Sequence, residues 1–63
     1  MSWKDAKKTA AEWVDEMHLP ANLTGESIDL KKLAEKLPHQ GVYRDMVLRA
    51  ATRLLRQRGA KVE

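Results

Sequence analysis

Hydrophobic and polar positions divide the chain into three periodic stretches separated by proline and glycine. Residues 42–58 carry the clearest period. At about 100° per residue, Val47, Leu48, Ala50, Ala51, Leu54 and Leu55 fill one arc of a helix, while Arg49, Arg53 and Arg56 stack opposite it. Residues 3–18 show a second such stretch, with Trp3, Ala6, Ala10, Trp13, Val14 and Met17 on one face and Asp5, Lys8, Glu12 and Asp15 on the other. Ser2, followed three residues later by Asp5, supplies an N-cap. Pro20 ends this helix, because it has no N–H to donate and biases Leu19 away from helical angles. A third, shorter helix is predicted over residues 29–37: Asp29 is its N-cap, Leu30, Leu33, Ala34 and Leu37 recur at helical spacing, and Pro38 stops it.

The connection over residues 20–27 is irregular. Thr24-Gly25-Glu26-Ser27 carries turn chemistry, and Leu23 is its expected anchor in the core. Gly41 gives the backbone freedom to enter the last helix. No strand pattern or internal repeat is visible, and residues 59–63 are expected to fray. Three helices, each with one apolar face and joined by short corners, satisfy one another by packing around a common core. The expected fold class is therefore all-α, a compact three- to four-helix bundle with a long C-terminal helix, forming a single domain over residues 1–63. Trp13 is expected inside and Trp3 at the edge.

Size bounds what such a domain can do. A chain of 63 residues has room for one small core, and chains of this length bury only about 60% of the surface that unfolding exposes. The absence of cysteine excludes disulfides and thiolate metal sites. With 33% charged residues and a mean hydropathy of −0.60, the composition is that of a soluble protein. No apolar run approaches the roughly 20 residues a bilayer requires. Met1-Ser2-Trp3-Lys4-Asp5 places charges where a secretory signal would need an apolar segment, so the expected location is cytoplasmic and no membrane partner is expected. Without such a signal, the glycosylation pattern Asn22-Leu23-Thr24 is expected to be incidental.

Charge adds one asymmetry. The net charge of +3 favours a polyanionic partner over a polycationic one, although Lys7-Lys8 and Lys31-Lys32 are the only adjacent basic pairs. The first helix carries Lys4, Lys7 and Lys8 early and Glu12, Asp15 and Glu16 late. That order opposes the helix dipole, at roughly 0.3–1 kcal/mol per terminal charge. In the last helix the order is favourable, with Asp45 near the start and Arg53, Arg56 and Arg58 near the end. All five of its basic positions are arginine, whereas the first two helices use only lysine. Guanidinium forks match phosphates and carboxylates. The candidate partner- or nucleic-acid-binding residues are therefore Arg49, Arg53, Arg56, Lys31, Lys32 and Tyr43. The competing reading is a solvated face, with Asp45 paired to Arg49 one turn later. If the acidic end of the first helix faces the arginines, the stripe is internal electrostatics; if the two point apart, it is a binding face.

No catalytic constellation can be assembled. Ser2 and Ser27 sit in cap and turn contexts, and the three glycines are too scattered to form a phosphate loop. Asp15 and His18 could offer two metal ligands from one helical face, but a third from His39 or Glu12 is not enforced by spacing. No enzyme activity, cofactor, metal or small-molecule substrate is expected.

Three family patterns match parts of the chain. Leu33, Ala34 and Leu37 match apolar and small positions of a helix-turn-helix over residues 30–47, but Pro38 replaces its turn glycine, and His39 and Arg44 stand at apolar positions. Arg44 to Ala51, continuing to Gly59, resembles the first helix of tetracycline-repressor-type proteins, whose DNA-reading helices would begin where this chain ends. Trp3, Trp13-Val14, Leu33, Leu37, Gly41, Arg44 and Leu48 resemble the outline of sterile-alpha-motif-type modules, with a shorter middle segment. That last resemblance implies protein–protein association through helix ends. The expected function is a small non-enzymatic binding or regulatory module that associates with another protein or a second copy of itself, with Leu19, Tyr43 and Met46 as the apolar part of the patch. The alternative is a nucleic-acid-binding regulator that uses the arginine face, helped by Lys31, Lys32 and Lys36.

Overall fold

In the computed structural model, which describes residues 2–63, helix α1 (Trp3–Glu16) begins at the expected cap: the Ser2 hydroxyl accepts from the Asp5 N–H at 3.2 Å. Met1 lies outside the described residues. The helix stops two residues earlier than its period predicts. His18 adopts a left-handed φ of 54°, and the Met17 and His18 N–H groups fold back to the Val14 and Asp15 carbonyls at 3.2 and 3.1 Å. With Leu19 held out of helical angles by Pro20, the chain reverses at the last residue still free to turn. In the loop that follows, the Asn22 side-chain oxygen accepts from the Thr24 N–H (3.0 Å) and the Thr24 hydroxyl (2.6 Å). The glycosylation-like triplet is thus a local turn, and it buries Leu23 as expected.

Strand β1 (Ser27–Ile28) leads into α2 (Leu30–Ala34), where the Asp29 carboxylate accepts from the Lys32 N–H at 3.4 Å. The expected 29–37 helix tightens after one turn. Glu35, Lys36 and Leu37 donate to the carbonyls three residues back, and that turn still delivers Leu37 to the core. Helix α3 (Gly41–Gln57) starts from Gly41 at φ 69°, one residue before the predicted start, and gives way to strand β2 (Lys61–Val62).

The tail is not frayed. β2 pairs in parallel with β1, with Ser27 opposite Lys61 and Ile28 opposite Val62. The Lys61 N–H donates to the Glu26 carbonyl at 2.8 Å and the Glu63 N–H to Ile28 at 3.1 Å, while Leu23 donates to the Arg58 carbonyl at 2.7 Å. The fold is therefore mostly helical with a small two-stranded sheet, and the all-α expectation is corrected to that extent. Strands of two residues are too short to show a period of 2 in sequence.

α1 and α3 form the main interface. The Tyr43 hydroxyl, near the start of α3, lies 2.7 Å from that of Thr9, and Arg58, just past its end, reaches Asp15 in the last turn of α1. Ala6, Ala10 and Val14 belong to one buried cluster with Val47, Ala50, Ala51 and Leu55, joined by Leu23, Leu30, Leu37 and Ala60. Alanine at the crossing lets the backbones approach closely and leaves no room for an indole between them. Trp13, expected inside, is instead half-buried at the edge of the Ala6–Ala10–Val14 arc, and Trp3 is half-buried as well. Leu19, Tyr43 and Met46 also lean on the core rather than forming an open apolar patch; Val42, at 71%, is the exposed large hydrophobic among the described residues.

Candidate functional site

The interface that builds the core also decides where the charges go. With Ala6, Ala10 and Val14 turned inward, the helical period carries Lys4, Lys7 and Lys8 to the flank of α1. With Val47, Ala50, Ala51 and Leu55 turned inward, Arg53 and Arg56 reach the flank of α3 on the same side. Between these flanks lies an open groove of about 880 Å³, lined by Trp3, Lys4, Lys7, Lys8 and Ala11 from α1 and by Ala50, Arg53, Leu54, Arg56 and Gln57 from α3. A second concavity of about 560 Å³ shares Trp3, Arg53 and Arg56 with the first and adds Arg49 and Thr52. Trp3 thus lines both. The Arg53 guanidinium carbon sits 5.8 Å from the centroid of its ring, a cation–π contact.

Six cations and no carboxylate line the two concavities. The whole chain has 12 basic and 9 acidic residues, so removing these six leaves the remainder with an excess of three acidic residues. Half of the chain's basic residues thus line these two adjoining concavities. Among the described residues, the recorded ion pair joins Arg58 and Asp15 at 3.9 Å, and none involves Arg49, Arg53 or Arg56. The anticipated Asp45–Arg49 pair does not form. The acidic end of α1 meets Arg58, while the arginine stripe meets the lysines of the first α1 turns.

The other anticipated residues lie elsewhere. Lys31 and Lys32 are exposed on α2 and do not line the groove. Tyr43 clamps the two helices: its hydroxyl donates to the Asp5 carbonyl at 3.4 Å and lies 2.7 Å from the Thr9 hydroxyl. Tyr43→Phe is expected to lower stability by about 0.5–1.5 kcal/mol, measured by urea denaturation, because it leaves Thr9 without its partner. It should leave the groove's charge unchanged.

Trp3, Lys4, Lys7 and Lys8 lie in the groove although the sequence reading does not place them in a site. For the three lysines the signal is the reversed charge order of the first helix, which places lysine where the dipole disfavours it. His18 and His39 do not converge with carboxylates: among the described residues no group of three or more His, Cys, Asp or Glu side chains could hold a metal ion. His39 instead stands edge-on to Tyr43, with ring centroids 5.0 Å apart and its Nδ1 buried without a hydrogen-bond partner. Among the described residues no helix is long and apolar enough to cross a membrane. Comparison with protein-family models, curated proteins and solved structures gives no match, so none of the three resemblances in sequence gains support from it.

Proposed function

We propose that this chain is a small non-enzymatic binding module that docks a polyanion, a nucleic acid in the first instance, on the basic face shared by α1 and α3. The observation that carries this reading is the convergence of Lys4, Lys7, Lys8, Arg49, Arg53 and Arg56 around Trp3 with no carboxylate among them. Like charges gathered on one face repel and cost stability unless a partner neutralises them. A bundle of three helices is the scaffold on this reading, with α2 and the β1–β2 pair bracing the two helices that carry the face. Association with another protein, the other expectation from sequence, would draw on the same cations if that partner were acidic. An apolar association face has less to recommend it, since Leu19, Tyr43 and Met46 lean on the core.

Salt dependence tests the proposal. Binding to a nucleic acid should weaken steeply between about 50 and 200 mM salt, with a log–log slope near −4 if all six cations meet phosphates of a single strand. The double variant Arg49→Ala/Arg53→Ala should reduce that slope by about 1.5. A Lys31→Ala/Lys32→Ala pair should leave it nearly unchanged. Equal slopes for the arginine variant and the parent protein would remove the assignment of this face.

A further inference from the structure

The position of Trp3 narrows the class of polyanion. We infer that the groove takes a single-stranded nucleic acid, with the Trp3 indole stacking against a base while the flanking cations follow the phosphates. This rests on the basic-face reading above and adds to it.

Two features favour a single strand over a duplex. The first is shape. Two packed helices lie about 8–10 Å apart, each about 10–12 Å across, so their shared face is close to 20 Å wide. The major groove of a duplex is only about 12 Å wide. The surface is concave, with cations on both walls, and a single chain can run between them. The second feature is chemistry. Trp3 is half-buried and lines both concavities, with Arg53 near its ring. A duplex keeps its base faces stacked inside, whereas a single strand presents them. The Arg53 guanidinium lies over the Trp3 ring, so a base that stacks on the indole takes the place of that guanidinium, which is then free to pair with a phosphate. Charge alone would be met as well by a polyphosphate, which offers no ring or apolar group to place on the indole that lines both concavities; an acidic protein segment is set apart by the polyglutamate arm of the test below.

The test uses the full chain and a labelled oligothymidylate of about 10 nucleotides, within the site size of small single-strand-binding modules. The comparison ligands are a duplex of equal length, inorganic polyphosphate and polyglutamate. Expected are a preference of roughly tenfold for the single strand over polyphosphate, and a loss of roughly tenfold for Trp3→Ala on the oligonucleotide but not on polyphosphate. Because Trp3 also leans on the core, a second readout avoids dependence on that variant's folding. In a Trp13→Phe protein, where Trp3 is the remaining tryptophan, indole emission should be quenched as oligothymidylate is added. Duplex binding as tight as single-strand binding, or unchanged Trp3 emission at saturation, would overturn the inference while leaving a basic polyanion site in place. Preference for polyglutamate would assign the face to an acidic protein instead. Failure to bind any of the four ligands would remove the basic-face reading itself.

Discussion

Leu55→Ala should unfold this protein under conditions where the parent is stable. Leu55 is fully buried and, with Val14 and Val47, is one of the largest side chains wholly removed from solvent. Leucine-to-alanine changes at such sites cost about 2–5 kcal/mol, from lost transfer energy and from the cavity left behind. Collapse has limited means to refill this cavity, because the buried cluster to which Leu55 belongs includes the small side chains Ala6, Ala10, Ala50 and Ala51. A chain of this length has a total stability of about 3–9 kcal/mol, so the loss takes a large share of it. Urea denaturation followed by helical circular dichroism should show the midpoint falling to about half the parent's value or lower. Leu54→Ala, at a half-buried position one residue away, should cost less than half as much. Similar losses for the two would show that α3 is rotated relative to the arrangement described. The lining of the basic groove would then also change, since Leu54 is part of it.

Gly59→Ala is expected to be the other severe substitution, through backbone geometry and close approach rather than lost packing. Gly59 has φ 99°, a left-handed conformation that side chains rarely adopt. A β-carbon there would lie 2.7 Å from the Thr24 hydroxyl oxygen, 3.0 Å from the Thr24 Cα and 3.1 Å from its N. Two of those three atoms are backbone, in a turn held by Asn22, so the neighbour cannot swing away. The conformational cost of about 1–2 kcal/mol and the overpacking cost of about 1–3 kcal/mol together give a loss of about 2–5 kcal/mol. Thermal denaturation should show a fall in Tm of more than about 10 °C. Gly41→Ala separates the two contributions, because Gly41 also has a positive φ, 69°, but nothing lies within 4 Å of the added carbon. It should cost only the backbone part. Equal effects at the two glycines would mean that the Thr24–Gly59 contact does not hold the tail in place.

Both substitutions act on the scaffold that brings the cations together. Lys4, Lys7 and Lys8 share a groove with Arg53 and Arg56 only while α1 and α3 remain packed. The folded state is therefore a condition of the proposed binding. Conversely, a polyanion bound to that groove should raise the melting temperature of the parent protein.

The helices were legible in sequence because their signals are local. Ser2 and Asp29 cap, Pro20 and Pro38 stop, and the period of Val47, Ala50, Ala51, Leu54 and Leu55 assigns the inner face of α3 without reference to any other part of the chain. Leu23 was legible as an anchor because it is the one large apolar side chain in an otherwise polar turn region. The ends of α1 and α2 were less so, since the left-handed His18 and the tightened turn at Leu37 depend on where the chain must go next. The pairing of β1 with β2 could not be read at all: two residues have no period, and their partners are distant in sequence. Trp13 is half-buried although its size predicts burial, because the buried arc of α1 is centred on Ala6, Ala10 and Val14 and Trp13 lies at its edge.

The arginine stripe shows the same division. Sequence by itself determined that Arg49, Arg53 and Arg56 share one face, because helical geometry fixes neighbours three and four residues apart. Which charges lie opposite them is a property of the α1–α3 crossing, and a single helix carries no information about it. The tertiary structure placed Asp15 beside Arg58 and set Trp3 with its three lysines against the stripe. Burial of the alanine faces decides that arrangement, since apolar packing sets the rotation of each helix and surface charge, worth only tenths of a kcal/mol per pair, follows.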